Sequence, residues 1–468
     1  MLLAALTVLA IVSNDQVALR AAPSKSAPLQ TLLGQGDALE VRGRQLDYLQ
    51  VWDHRRERGG YVHVSQARSL DLDAPAASEL LAVVRFLRDS AGDEALGIAY
   101  VGAYLKAAPA QAITAEPFDA LGRMAERLAD RASARSQDTG DARLSARLET
   151  AASYGVAFNS IERDGRVSLC YDGDAFRRVL ALPASAEQQA HAALALTRHD
   201  CIDPALRPSE LHALNQWRAD VLDRVDAGAL PELLRNRVHQ RRAGVLAGLA
   251  YEDHRQGGAA RDTATRALDE LARVVRTGLT DDDRAAYTDA AVRVGASRWA
   301  AQPDTVADAA LTLATAPGEP GQTCVSLLDR THPQRGALVT RCTYGTVWSA
   351  SAAVNRNGTA LALAVQPLPT WRELWVFQRR GDAWTVRVLP PAASDPTLGY
   401  VEFAGWVAGK DQMLVAREAQ ADGRWQRSFE VVSLDTLAVD LRASEPTRLS
   451  AFYRWQSPTW KAQTVSLR

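Results

Sequence analysis

The chain has 468 residues, 47% hydrophobic and 23% charged, which is enough to bury large cores and predicts roughly two to four domains. A formal net charge of −1 excludes a chain-wide pull toward nucleic acid or anionic lipid. Only Lys25, Lys106, Lys410 and Lys461 are lysine among the 54 basic residues, and that arginine excess reads as a high-GC coding bias rather than as guanidinium chemistry.

The first twelve residues, Met1 to Val12, form an apolar run shorter than a bilayer span and of signal-peptide length, with Val8-Leu9-Ala10 as a small-residue cleavage pattern. Residues 1–13 are therefore expected to be a signal peptide, with an uncleaved anchor as the alternative. A buried first strand is disfavoured by the charges that begin at Asp15 and Arg20. Four cysteines suit an oxidising compartment and admit three pairings, of which Cys170 with Cys201 and Cys324 with Cys342 are the local choices. The expected location is periplasmic or secreted, with membrane attachment only if the first segment is retained.

Residues 14–70 alternate short β-like runs with turn residues, including Val17–Arg20, Leu39–Arg42, Tyr48–Val51 and Tyr61–Val64, at the spacing of a small barrel. The order Leu19-Arg20-Ala-Ala-Pro23, Leu33-Gly34-Gln-Gly36-Asp37, Tyr48-Leu-Gln-Val51 and Gly60-Tyr61-Val62 resembles bacterial SH3-like (SH3b) domains. The resemblance covers about an eighth of the chain. It implies a closed SH3-like β-barrel that recognises peptidoglycan or a short peptide of an envelope protein. Tyr48, Trp52 and Tyr61 would line the groove.

Residues 73–316 change to alanine, leucine and arginine at helical period and predict an irregular α-helical middle domain. Pro75 suits a first turn, Thr114 suits an N-cap, and Thr280-Asp-Asp-Asp283 is an acidic helix start whose carboxylates would meet the positive end of the dipole. Ser136–Asp141 reads as a break and Val167–Asp174 as a strand and turn held by the first disulfide. Pro317-Gly-Glu-Pro-Gly321 reads as a linker.

Residues 322–468 carry apolar alternations separated by Asn357-Gly358, Gly381-Asp382 and Asp422-Gly423, which are hairpin signals. Related units begin at Val354, Trp406 and Trp455, about fifty residues apart, and resemble β-propeller blades. The expected fold is thus multidomain α+β: a small barrel, a helical middle and a C-terminal antiparallel β domain with blade-like repeats.

No G-x-S-x-G, H-E-x-x-H, phosphate-loop or dinucleotide-binding motif is present, and no cofactor or metal is implied. His191, His199, Asp200 and Cys201 are the most chemical-looking cluster, but a disulfide at Cys201 makes them structural. The basic run Arg235–Arg242 reads as a solvated helix face. Eight of the eleven tryptophans lie from Trp348 onward and are expected to fill a β core, with Trp455 and Trp460 as an exposed pair able to bind a ligand.

The leading expectation is an envelope binding or scaffolding protein acting through the barrel. Alternatives are a glycan- or peptide-acting hydrolase, with acids such as Glu373, Glu402 or Glu418 working between the helical and β domains, and an assembly factor completing a larger complex.

Overall fold

The computed structural model describes residues 8–135, 142–163, 166–303, 310–393, 398–421 and 424–463. The chain divides into two units, Met1–Arg207 and Pro208–Arg468. The helical stretch is shared between them.

The first unit opens with seven strands: β1 (Leu9–Val12), β2 (Val17–Arg20), β3 (Leu29–Leu33), β4 (Ala38–Gln45), β5 (Tyr48–Asp53), β6 (Arg58–His63) and β7 (Ala67–Leu70). They form one sheet in the order β3-β2-β6-β5-β4-β1-β7. The ladder ends on β3 and β7, which do not pair with one another, so the expected closed SH3-like barrel is not formed. The strands lie where the turn residues predict them. Turn chemistry fixes local hairpins, whereas closure depends on pairing between distant edges, and here β1 is inserted between β4 and β7.

The end of the run expected to be a leader is strand β1. β1 is antiparallel to both neighbours, with Leu9 opposite Glu40 and Val12 opposite Ala67. Ala10 and Val12 enter the core of the sheet, while Ile11 points into the helical core with Leu80, Val84 and Ile98. A strand buried on both faces reads as an unbroken apolar run, the same pattern a signal-peptide core shows.

Helices α1 (Ala77–Arg88), α2 (Glu94–Ala107), α3 (Glu116–Arg135) and α4 (Ala142–Ser153) follow. A hairpin of β8 (Phe158–Arg163) and β9 (Arg166–Tyr171) then leads to α5 (Asp174–Ala181) and α6 (Ala186–Leu196). Pro75 lies in a single 3-10 turn capped by Asp73, ahead of α1. The expected break at Ser136–Asp141 lies outside the described residues. Cys170 on β9 is bonded to Cys201. Two buried carboxylates hold this unit together. Glu94, wholly buried, accepts from Arg127 Nε and Arg131 Nη1, each at 2.6 Å. Asp37 accepts from Thr150 on α4 at 3.1 Å and pairs with Arg55 at 3.2 Å and Arg56 at 2.9 Å, fixing the helix to the sheet.

The second unit begins with α7 (Pro208–Asp223), α8 (Glu232–Arg255), α9 (Ala260–Ala272) and α10 (Asp281–Ser297), then a 3-10 turn at Arg298–Ala301. Thr280 caps α10, its hydroxyl accepting from the Asp283 N–H at 3.2 Å. β10 (Leu311–Pro317), β11 (Thr323–Asp329) and β12 (Ala337–Thr343) form a three-stranded sheet. Pro317–Gly321 is the hairpin turn between β10 and β11 rather than a linker, since proline and glycine serve either role. Cys324 stands opposite Cys342 in the β11–β12 register and is bonded to it.

The remaining strands are β13 (Thr346–Val354), β14 (Ala360–Leu368), β15 (Trp371–Arg380), β16 (Ala383–Leu389), β17 (Leu398–Trp406), β18 (Gln412–Ala421), β19 (Arg424–Ser433) and β20 (Val439–Ala443), followed by α11 (Ser450–Trp455) and α12 (Pro458–Gln463). Asn357-Gly358 and Gly381-Asp382 lie at hairpin turns, and Asp422-Gly423 lies outside the described residues. The four strands β13–β16 and the four strands β17–β20 are antiparallel meanders, paired with one another, among the described residues, where Trp371 and Arg372 run parallel to Gly399 and Tyr400. The result is one open sheet ending on β13 and β20, so the propeller expectation is also corrected. The third apparent unit, at Trp455, is helical. Among the described residues no helix is long and apolar enough to cross a membrane.

Two outcomes test this description. Ile11→Ala is expected to lower the stability of the first unit by about 2–5 kcal/mol in denaturant titration, because it empties a site in the helical core; an unchanged midpoint would place β1 outside the fold. Mild dithiothreitol is expected to open Cys324–Cys342 before Cys170–Cys201, read by alkylation and mass spectrometry, because Cys342 is exposed and Cys170 is buried.

Candidate small-ligand site

Strand alternation builds the floor of the site. Arg372 and Tyr400 are register partners, and Glu402 lies two residues beyond Tyr400, so these three side chains share the face of the sheet that meets α10. Glu402 is buried to 4% exposure and Arg372 to 0%. The Glu402 carboxylate accepts from Arg298 Nε at 3.0 Å, and also from Arg298 Nη2 and Arg372 Nη2. Arg372 Nη1 donates to the Ala296 carbonyl at 3.3 Å. The guanidinium of Arg298 lies 4.7 Å from the Trp299 ring and that of Arg372 lies 5.2 Å from Tyr400. Gly295 makes this approach of α10 possible, because a Cβ there would sit 2.7 Å from the Tyr400 ring.

The cluster holds two cations and one anion. Burial pushes the Glu402 carboxyl up, and the two guanidinium groups outweigh that and hold it below its ordinary value of 4.5. Burial, with the neighbouring Arg298 charge, pushes Arg372 down against the opposing pull of Glu402. Removing Glu402 would leave the two buried guanidinium groups without the carboxylate between them.

Beside this floor is a cavity of about 210 Å³, smaller than the usual pocket for a drug-sized ligand. Arg298 and Glu402 lie at its base, Trp299, Leu374, Phe403 and Trp460 form walls, and Ser457 and Thr459 add hydroxyls. Thr459 is solvent-exposed, so the cavity reaches the surface.

Two β-bulges make the space. On β13 the register with β14 breaks between Trp348 and Ala353, where the chain runs Ser349-Ala-Ser-Ala-Ala353. Ser351 Oγ repairs the ladder, accepting from the Ala364 N–H at 2.7 Å and donating to the Trp348 carbonyl at 2.6 Å, and the small neighbours leave the cavity unfilled. On β17 the register breaks between Phe403 and Gly405. The Ala404 carbonyl, freed from the ladder, accepts from the Ser457 N–H at 2.7 Å and pins the C-terminal segment across the site. A Cβ on Gly405 would meet the Trp455 carbonyl at 2.2 Å, so only glycine admits this crossing. Bulges at a site re-aim side chains and interrupt pairing, and both effects are present.

Trp299 and Trp460 each carry a buried indole N–H with no hydrogen-bond partner. Trp460 is held by edge contacts with Phe429 and Phe452 at centroid distances of 6.4 and 5.6 Å. Trp455, by contrast, is 40% exposed, so the expected exposed pair is divided between surface and core.

The other expected residues lie elsewhere. Tyr48, Trp52 and Tyr61 share the face of β5 and β6 opposite the core residues Leu49, Val51 and Val62. Tyr48 is buried edge-on to His63 at 5.2 Å, and Trp52 is half-buried beneath the Arg42 guanidinium at 4.5 Å. With the barrel open, these aromatics do not form the groove expected of it. His191 lies against Arg123, Asp200 pairs with Arg198, and Cys201 is in its disulfide. Within the basic run, Val238, His239 and Gln240 are buried. Arg237 pairs with Asp283 at 2.6 Å, and His239 meets Glu270 at 2.6 Å, so the run is packed rather than solvated. Among the described residues no group of three or more histidine, cysteine or acidic side chains is placed to hold a metal.

The carboxylates named for hydrolysis do not converge. Glu402 has its oxygens engaged by arginine, Glu418 accepts from the Tyr400 hydroxyl at 3.3 Å, and Glu373 projects from the opposite face to its neighbour Arg372. No protein-family model matches the chain, and no curated protein or solved structure shows a detectable match. Sequence reasoning missed Arg298, Trp299 and Arg372. The one local signal was the run of small residues in the middle of a bulky strand.

Glu402→Gln is expected to destabilise the second unit by about 3–5 kcal/mol, because it strands buried guanidinium charge. In the unaltered protein, a folded-state value below 4.5 means that the Glu402 contribution is complete above that pH and is lost as the pH falls through the lower folded value. Thermal unfolding between pH 7 and 3 is expected to show this acid-sensitive component, and the Gln variant to lack it.

Proposed function

We propose that the second unit is a receptor for a small molecule, held non-covalently in the cavity beside Arg298 and Glu402. The observation that carries this reading is the coincidence of two bulges, a built charged floor and two unpartnered indole N–H groups around one space. A cavity left by imperfect packing is apolar and stays dry. This one sets Arg298, Glu402 and the hydroxyls of Ser457 and Thr459 beside aromatic walls, the usual composition of a ligand site. The two disulfides support an oxidising compartment as the place where it works.

The test is a thermal-shift screen of the whole chain against a fragment set, repeated on Ala350→Phe, which introduces a ring into the cavity from β13. Saturable ligands are expected to raise the midpoint of the unaltered protein, by roughly 2–3 kcal/mol of stabilisation at a hundredfold excess over Kd, and to lose that effect in the variant. Ligands that stabilise both proteins equally, or none at all, would overturn the reading.

A further inference from the structure

We propose that Cys324–Cys342 is a reversible redox site, opened and closed by exchange with a thiol donor while the fold around it stays intact. Neither cysteine lines the cavity, so this role stands apart from the small-molecule reading. Cys324 and Cys342 are direct register partners on the antiparallel strands β11 and β12. Side chains facing each other across such a ladder have Cβ atoms about 4.5–5.5 Å apart, whereas a disulfide draws them to about 3.8 Å. The ladder and the bond pull against each other, and a bond held in that way is the more easily reduced.

The surroundings let the bond open without disturbing the core. Strand alternation puts Cys324 and Cys342 on the face that carries Ser326 and Thr340, whose hydroxyls meet at 2.8 Å at the surface. Cys342 is exposed, so a thiol can reach its sulfur. The opposite face sets Val325 and Leu327 in the core with Val339 against them, and brings Arg341 to 4.9 Å from the Trp375 ring. Those contacts and the ladder remain when the sulfurs part, and they keep the two side by side for re-closure. Gln322 Oε1, 4.0 Å from Cys324 Sγ, is an acceptor for the thiol that opening creates. Cys170–Cys201 is the opposite case. Cys170 is buried, Cys201 lies between α6 and α7, and among the described residues no ladder joins the two.

In the exchange a donor thiolate attacks Cys342 Sγ, the bond between the two sulfurs breaks, and Cys324 leaves as a thiolate that takes a proton from water. A second donor thiolate then attacks the donor sulfur of the mixed disulfide, and Cys342 leaves and is protonated in turn. The protein gains two electrons and two protons, and the two donor thiols depart as a disulfide.

The test equilibrates the full chain in mixtures of reduced and oxidised glutathione at pH 7, reads each cysteine by differential alkylation and mass spectrometry, and follows near-UV circular dichroism. Cys324–Cys342 is expected to be half-reduced in a mixture about tenfold or more less reducing than Cys170–Cys201 requires. The spectrum is expected to stay native as it opens, and the same pair to re-form when oxidised glutathione is restored. Cys324→Ser, which leaves the exposed sulfur, is expected to take up glutathione about tenfold faster than Cys342→Ser, which leaves the half-buried one. A Cys324–Cys342 bond still closed in the most reducing mixture, both bonds half-reduced together, or a native spectrum lost on opening would each overturn the proposal. Equal uptake by the two variants would overturn Cys342 as the sulfur attacked.

Discussion

A carboxylate taken out of water has to be met by charge, and this protein meets that requirement repeatedly with arginine. Glu402 lies between Arg298 and Arg372, Glu94 between Arg127 and Arg131, and Glu430 between Arg417 and Arg442. Asp37 is held by Arg55 and Arg56, and Glu270 by His239 and Arg273. The guanidinium is planar, remains charged when buried and offers paired donors, so two of them can saturate both oxygens of one carboxylate. Lysine could supply the charge without that geometry. The arginine excess that reads as coding bias in the sequence therefore has structural uses. In the second unit the match at Glu402 links the turn after α10 to strands β15 and β17.

That link also sets the chemistry of the cavity. A buried triad of this kind is weak evidence for stability, because replacing it with apolar residues is often neutral or better. Its retention beside a bulged, partly empty region of sheet needs another reason. The bulges on β13 and β17 break the local rule of continuous pairing, and Ser351 and Ser457 compensate the backbone groups that the breaks release. Departures from local consistency tend to collect at functional sites. Here the departures, the Arg298–Glu402 pair and two unpartnered indoles lie around the same space.

Much of the local structure was legible in the sequence. Strand and helix regions follow the two periodicities, the acidic run at Asp281–Asp283 opens a helix, the hairpin turns lie at Asn357-Gly358 and Gly381-Asp382, and the two disulfides join the cysteines nearest in sequence. What failed was non-local. Whether β3 meets β7, or the last meander meets the first, depends on edges far apart in the chain, which alternation does not encode. β1 deceived because burial on both faces erases the alternation that marks a strand. Arg298 and Arg372 were invisible because arginine is common in this chain and their shared partner, Glu402, is distant in sequence from Arg298. Tyr48, Trp52 and Tyr61 share one face of the sheet, and the closed barrel that would have made them a groove is absent.

The account holds that the Arg298–Glu402–Arg372 cluster is kept for recognition rather than for stability. The most direct measurement replaces all three at once, Arg298→Met, Arg372→Leu and Glu402→Met, and follows both thermal unfolding and binding of a screened ligand that Ala350→Phe displaces. The account predicts a cooperative transition at a higher temperature than Glu402→Gln alone, with saturable binding of that ligand lost. The same ligand bound as tightly by the folded triple variant as by the unaltered protein would contradict it.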